Sequence, residues 1–162
     1  MSERLRQNRE NLQASILDRL IDLEPALSHE SVQYRLLSVG QAKTAVIRDL
    51  ENILNTKRSI LLPPSAYKEV GRSLFVYGLS DFTSESPRNP SVRQQLRMDI
   101  EKTISLFEPR LKSVTVRLET PTGNERSLRF RITGLLMVEP VSEPVTFDTY
   151  FDANRGEYFI SK

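Results

Sequence analysis

The stretch SVRQQLRMDIEKTISLFEPRLKSVTVRL, from Ser91 to Leu118, changes its hydrophobic period partway along. Val92, Leu96, Ile100, Ile104 and Phe107 recur at spacings of three and four, which places one apolar stripe on a helix face. Ser91 and Gln94 fit an S-x-x-Q capping box, so the helix is expected to begin there. Pro109 ends it, because its ring disfavours helical geometry at Glu108 and it has no N–H to donate. Val114, Val116 and Leu118 then alternate with Thr115, Arg117 and Glu119, the period of a half-buried strand. The Glu108-Pro109-Arg110 corner between the two elements is the distinctive chemical feature. On residue types alone it suits a catalytic, an adhesive or a structural role. In the structural case Glu108 bonds a backbone N–H and Arg110 a nearby carboxylate, fixing the helix-to-strand angle.

At 162 residues the chain is long enough for one domain with a core that needs no staples. Basic and acidic residues number 23 and 21 and are mixed along the chain, for a net charge of +2. An interspersed surface of this kind lacks the broad positive field of nucleic-acid binding, despite a pI near 9.0. With no cysteine there is neither a disulfide nor thiolate chemistry, which fits a reducing compartment. His29 is the single histidine, so a multi-His metal site is excluded. The first residues lack the apolar core of a secretory signal, and no apolar run approaches the roughly 20 residues of a membrane span. A soluble, cytoplasmic protein with no cofactor is expected.

Residues 1–30 read as an N-terminal extension and residues 31–162 as a single α+β domain. In the extension Leu12, Ile16, Leu17, Leu20 and Ile21 follow helical spacing, with Asp18, Arg19 and Asp22 opposite. Such a helix suits either the core or docking into a partner's groove. A second helix buries Ala42, Ala45, Val46, Leu50, Ile53 and Leu54. Asn55 is expected in its left-handed end, with Lys57 and Arg58 complementing the helix dipole. Pro63-Pro64 breaks the chain, and Ser65 opens a short helix carrying Tyr67, Val70, Leu74 and Phe75 up to Gly78. Phe82 is read as an anchor for the loop before Ser91.

Beyond the corner the chain is β. The strands expected are Val114–Thr120, a second around Leu128, Phe130 and Ile132, a third around Val145, Phe147, Thr149 and Phe151, and a short fourth, Glu157–Ile160. Gly134 suggests a bulge or a close backbone approach, followed by a stretch covered on both faces. Pro140 to Pro144 serves as a connection. The fold class is therefore α+β, N-terminal helices packed on an antiparallel sheet of about four strands. The short last strand leaves an edge open to a strand from another chain.

There is no phosphate-cradling glycine loop, G-x-S-x-G elbow or metal-spaced cluster. Glu108, Glu119, Glu139, Glu143, Asp148 and Asp152 offer carboxylate pairs of the kind a glycosidase uses, but no tryptophan supplies a sugar platform. Arg117, Arg129 and Arg131 share the outward phase of adjacent strands without interleaved aromatics. Cross-strand pairing with Glu119 or Asp148 accounts for them better than nucleic acid does.

Phe107-Glu108-Pro109-Arg110-Leu111, followed by Val114-x-Val116, resembles the corner of phage baseplate sheath-initiator wedge proteins. More closely, the chain resembles the TssE family, their type VI secretion counterparts, which have also carried a lysozyme-like name. Ser15–Leu20, Ile47–Arg58, Tyr77–Phe82, Glu139-Pro140 and Val145–Asp148 match in order, with Ser80 standing where the family commonly has proline. The resemblance implies a structural wedge subunit that links baseplate components of TssF, TssG and TssK type. It also implies that sheath subunits begin to polymerise from an exposed strand edge. Glu108, Pro109 and Arg110 are then protein-interface residues, with no catalytic, cofactor or metal site, no nucleic acid and no membrane insertion. The alternative is a peptidoglycan-cleaving, lysozyme-like glycosidase using paired carboxylates.

Overall fold

The computed structural model describes residues 12–13, 15–21, 26, 36–82, 85, 89–119, 128–138, 141–152 and 155–161. The first elements are short: β1 (Leu12–Gln13), α1 (Ile16–Leu20) and β2 (Leu36–Leu37), with β1 and β2 paired antiparallel. Then come the long helix α2 (Val39–Asn55), two single 3₁₀ turns (Val70–Arg72 and Leu74–Val76) and the long helix α3 (Pro90–Phe107). Four strands follow, β3 (Leu111–Leu118), β4 (Arg129–Val138), β5 (Val141–Asp152) and β6 (Glu157–Ile160), forming an antiparallel meander in that spatial order. The expected α+β class is the one observed. His29, the turn expected at 121–124 and Glu139-Pro140 lie outside the described residues.

Both long helices bury the stripes read from the sequence, Ala42 to Leu54 on α2 and Val92, Leu96, Ile100 and Ile104 on α3. They close over Val116, Phe130, Ile132, Leu136, Val145 and Phe147 from the inner face of the sheet. Each such side chain taken fully out of water contributes roughly 1.5–3 kcal/mol. Phe82 packs against this core, as the anchor reading expects.

Several boundaries differ from expectation, each for a local reason. α3 begins at Pro90, with the Asn89 side chain accepting from the Ser91 N–H at 2.9 Å, so the Ser91/Gln94 box does not form. An Asn N-cap followed by Pro at the first helical position is a stronger start. The reciprocal capping box sits instead on α2, between Ser38 and Gln41. The helix expected from Ser65 is replaced by the two 3₁₀ turns, and Tyr67, Leu74 and Phe75 remain exposed. Gly71 weakens helix propagation there, and Ser73 diverts the backbone by bonding Val70 O and the Phe75 N–H. On α1, Ile16, Leu17 and Leu20 are exposed rather than part of the core.

In the sheet, β3 starts at Leu111, directly after the corner, and a bulge between Lys112 and Thr115 places Ser113 at φ 53°. Gly134 lies across from it, where an added Cβ would come within 3.2 Å of Lys112 O. The glycine thus serves a close approach, and the bulge belongs to the partner strand. β4 pairs with β5 without interruption, and Met137 is exposed, so the far end of β4 is only partly covered. Pro144 lies inside β5 opposite Leu135, not in a connection. Arg131 pairs with Asp148 at 2.6 Å on the outer face, the cross-strand contact expected of those charges.

The short last strand does not leave its edge open. Asn55 accepts from Tyr158 N at 2.7 Å and donates to Tyr158 O at 3.0 Å, and Glu51 accepts from Ile160 N at 3.0 Å. Asn55 is therefore drawn to β6 and does not form a left-handed helix end; the cap is Thr56 in extended conformation. On the opposite edge Glu101 accepts from Val116 N at 2.8 Å, and Arg93 donates to the carbonyls of Leu118 and Glu119. β6 pairs with β5 only over Thr149–Asp152, so among the described residues no strand lies on the side of Val141–Phe147 away from β4.

The segment after α2 is fixed by pairing with the Tyr77–Phe82 stretch: Leu79 N bonds Thr56 O at 2.9 Å and Arg58 N bonds Leu79 O at 2.7 Å. Gly78 makes this possible at φ +95°, with an added Cβ only 2.2 Å from Thr56 O. Gly78→Ala is expected to lower unfolding stability by roughly 2 kcal/mol or more. Gly71→Ala, with nothing within 4 Å of its Cβ, is expected to be near neutral. Urea midpoints that coincide for the two variants would contradict the close approach.

Candidate functional site

The end of α3 turns at Glu108, whose N–H closes the helix on Ile104 O at 2.8 Å while its carbonyl accepts from Leu111 N. Glu108 is only 2% exposed, an unusual position for a carboxylate unless it is paired. Arg110 pairs it in bidentate fashion, Nε to Oε1 at 2.8 Å and Nη2 to Oε2 at 2.7 Å, with Arg110 N adding a bond to Oε1 at 3.2 Å. Pro109 sits exposed at the tip of the turn. Both contacts of the structural reading, Glu108 to a backbone N–H and Arg110 to a carboxylate, are therefore present.

The pair extends into the helices. Arg110 Nη2 also bonds Asp49 of α2, which accepts from Arg48 Nε at 2.9 Å. Arg48 Nη2 reaches Asp18 of α1 at 2.8 Å, and Arg110 Nη1 lies 3.8 Å from the same carboxylate. Ser15 caps α1 by accepting from Asp18 N at 3.1 Å, and its hydroxyl donates to Asp18 Oδ2 at 2.6 Å. Asp18, Arg48, Asp49, Glu108 and Arg110 thus form one chain of charges tying α1, α2 and the corner together. Tyr77 stands beside it, its ring edge-on to Phe107 with centroids 5.0 Å apart.

Titration follows the geometry. The bond from Glu108 raises the Arg110 pKa above its ordinary value against the opposing effect of burial, with the charges of Glu108 and Asp49 adding to it. Burial pushes Asp18 upward, but the bonds from Ser15 and Arg48 and the charges of Arg48 and Arg110 hold it below the usual carboxylate value. Burial raises the Tyr77 phenol, assisted by the Asp49 and Glu108 charges.

A second ion pair anchors the Tyr77–Phe82 stretch. Arg58 bonds Asp99 of α3 at 2.6 Å and also the Ser80 hydroxyl, while Ser80 N donates to the other Asp99 oxygen at 2.9 Å. That N–H bond is one a proline at position 80 lacks, so the turn is held by a hydrogen bond rather than by a ring. Lys57 pairs with Asp81 at 2.9 Å; neither cation is in the last turn of α2.

Sequence reasoning singled out Glu108, Pro109 and Arg110 but not Asp18, Arg48, Asp49 or Asp99, which complete the two networks. The other candidate carboxylates are dispersed: Glu143 pairs with Lys43 at 2.7 Å, Asp148 with Arg131, and Asp152 with Arg155 at 4.0 Å, while Glu119 is exposed. Among the described residues no group of three His, Asp or Glu side chains is placed to hold a metal, and no helix is long and apolar enough to cross a membrane. The arrangement performs mechanical work: it fixes angles between elements.

A helical layer on an antiparallel meander, with its charges joining one element to the next, defines a small α+β structural module. The sequence model of the family described as "Baseplate wedge protein gp25" matches residues 40–141, and the chain belongs to that family of structural baseplate components. Among solved structures it is similar to a chain of "The baseplate complex from the type VI secretion system", at 20% identity and a TM-score of 0.49. That similarity covers 70% of this chain and 97% of the other. No curated protein matches the chain.

Arg110→Ala is expected to destabilise the fold by about 3–5 kcal/mol, because it leaves the Glu108 carboxylate buried and unpaired. Arg110→Lys should recover only part of that loss, since an ammonium is not bidentate; equal melting temperatures for wild type and Arg110→Ala would refute the network. The depressed Asp18 pKa adds stability that is fully present above the ordinary value of 3.8 and is lost as pH falls through the folded value. Asp18→Asn is therefore expected to be less stable than wild type at neutral pH. Its deficit should shrink on acidification below about pH 4, as measured by denaturant unfolding against pH.

Proposed function

We propose that this chain is a wedge subunit of a type VI secretion contractile apparatus and acts in the cytoplasm. In this reading it links wedge components of TssF, TssG and TssK type and starts sheath polymerisation by accepting a sheath strand. Residues 1–30 serve as an extension to the wedge domain of residues 31–162. Family membership supports the baseplate role, and the ordered motifs from Ser15 to Asp148 support the type VI assignment.

The observation that carries the sheath role is the open half of β5. Asp148 O points to β6, where it accepts from Ser161 N, and Phe151 N points to β4. By the alternation of an antiparallel strand, Ser142, Pro144 and Thr146 turn their backbone groups outward, where no strand among the described residues pairs with them. Side chains of α2 and α3 occupy outward groups on β6 and β3, so β5 is the edge best suited to strand addition.

Glu108, Pro109 and Arg110 are the interface residues of this reading, with divided roles. Pro109 and the outer side of Arg110 meet the neighbouring subunit, and buried Glu108 holds Arg110 in place. No catalytic step is assigned to the chain, and purified protein is expected to leave peptidoglycan intact.

Thr146→Pro removes one outward N–H at the phase where Pro144 is already tolerated. Its melting temperature is expected to stay within a few degrees of wild type while sheath assembly in cells falls to background. Normal sheath assembly by a stably folded Thr146→Pro protein would end the edge assignment.

A further inference from the structure

Between Arg58 and Tyr77 the chain leaves the core and exposes a run of large apolar side chains. Ile60, Leu61 and Leu74 are 94%, 76% and 79% exposed, and Tyr67 and Phe75 are exposed as well. Single exposed hydrophobics need no explanation, but a cluster on one segment does. The segment borders a cleft of about 190 Å³ formed with the last turns of α3, lined in part by Leu62, Pro63, Val76, Thr103, Leu106 and Phe107. Thr103 is 2% exposed and its hydroxyl has no hydrogen-bond partner among the described residues. An enclosed polar atom without a partner is costly and uncommon in a finished interior.

The rim is basic. Arg58 and Lys102 line the cleft, as does Gly71, whose neighbour in the chain is Arg72. Arg58 is neutralised by Asp99, whereas Lys68, Arg72 and Lys102 form no ion pair among the described residues. Glu69 is the only acidic residue between Lys57 and Tyr77.

We propose that this face docks a segment of another protein chain that is apolar along one side and flanked by Asp or Glu. A Met side chain, whose thioether sulfur can accept from the Thr103 hydroxyl, enters the cleft over Thr103 and Phe107, and the flanking carboxylates meet Lys68, Arg72 and Lys102. Charge selects this occupant over a second copy of the chain, because a two-fold contact would set the basic segment against itself. The side-chain-sized cleft selects a peptide over an anionic bilayer, which offers nothing shaped to enter it. The surface is separate from the β5 edge and does not depend on the sheath role.

The test places a photo-crosslinking amino acid at Leu61 of the full chain, in cells that build the apparatus, and maps the adduct by mass spectrometry. Expected is an adduct to a different protein, on a peptide rich in Leu, Ile, Val or Met and bearing carboxylates. Combined Lys68→Glu, Arg72→Glu and Lys102→Glu substitution is expected to lower its yield by about tenfold or more with melting unchanged. An adduct to a second copy, to residues 1–35 of the same chain, to lipid or to a peptide without carboxylates overturns the proposal. So does the absence of any adduct, or a yield insensitive to charge reversal. Should charge reversal unfold the protein, Lys102→Gln with Arg72→Gln is read in the same way. Sheath assembly scored in the same cells reports separately on the proposed function.

Discussion

A carboxylate sealed at the end of a helix constrains everything around it. Glu108 has almost no contact with water, so its charge is tolerable only because the Arg110 guanidinium matches it in bidentate geometry. The proline between them forces the reversal that lets two residues so close in sequence face each other. Once the guanidinium is committed to that pair, its remaining donors are directed at α2 and α1. The corner thereby joins β3 to α3 and ties α2 and α1 to the same point. Hydrophobic burial supplies most of the stability, but it is nondirectional. The ion pairs add contacts that depend on direction, joining α1, α2 and the corner.

The sheet shows the same division of labour. Its inner face is held by aliphatic and aromatic packing, while polar side chains from the helices manage its edges. Glu51 and Asn55 reach β6, and Glu101 and Arg93 reach β3, each satisfying backbone groups that a neighbouring strand would otherwise take. Residues on the outer faces of the two long helices therefore have assignments, although their spacing alone presents them as solvent-facing.

That explains what was legible in the sequence. The apolar stripes of α2 and α3, the strand alternation around Phe130 and Phe147, and the corner itself follow from periodicity and proline chemistry, which are local. The 3₁₀ turns at Val70 and Leu74 do not follow from periodicity, because Ser73 competes for the backbone in a way periodicity does not register. Pro144 suggested a connection because proline breaks central strands; only the topology shows that its position is an edge. The partners of Arg110 were not legible. Asp49 and Asp18 are far away in the chain, and nothing in a sequence says which of many charges will meet. The motif at Ile47–Arg58 contained two of them, Arg48 and Asp49, without indicating why.

Pro144 also has a consequence for behaviour in solution. An uninterrupted, unpaired strand would template identical strands, and a concentrated sample would pair edge to edge without limit. The missing N–H at the centre of Val141–Phe147 breaks the row of donors. Glu143, paired with Lys43 of α2, places charge at the same point. Self-recognition is thus penalised, whereas a foreign strand that asks nothing of position 144 loses no hydrogen bond. A row of donors broken at one place makes edge-to-edge pairing of two copies less favourable.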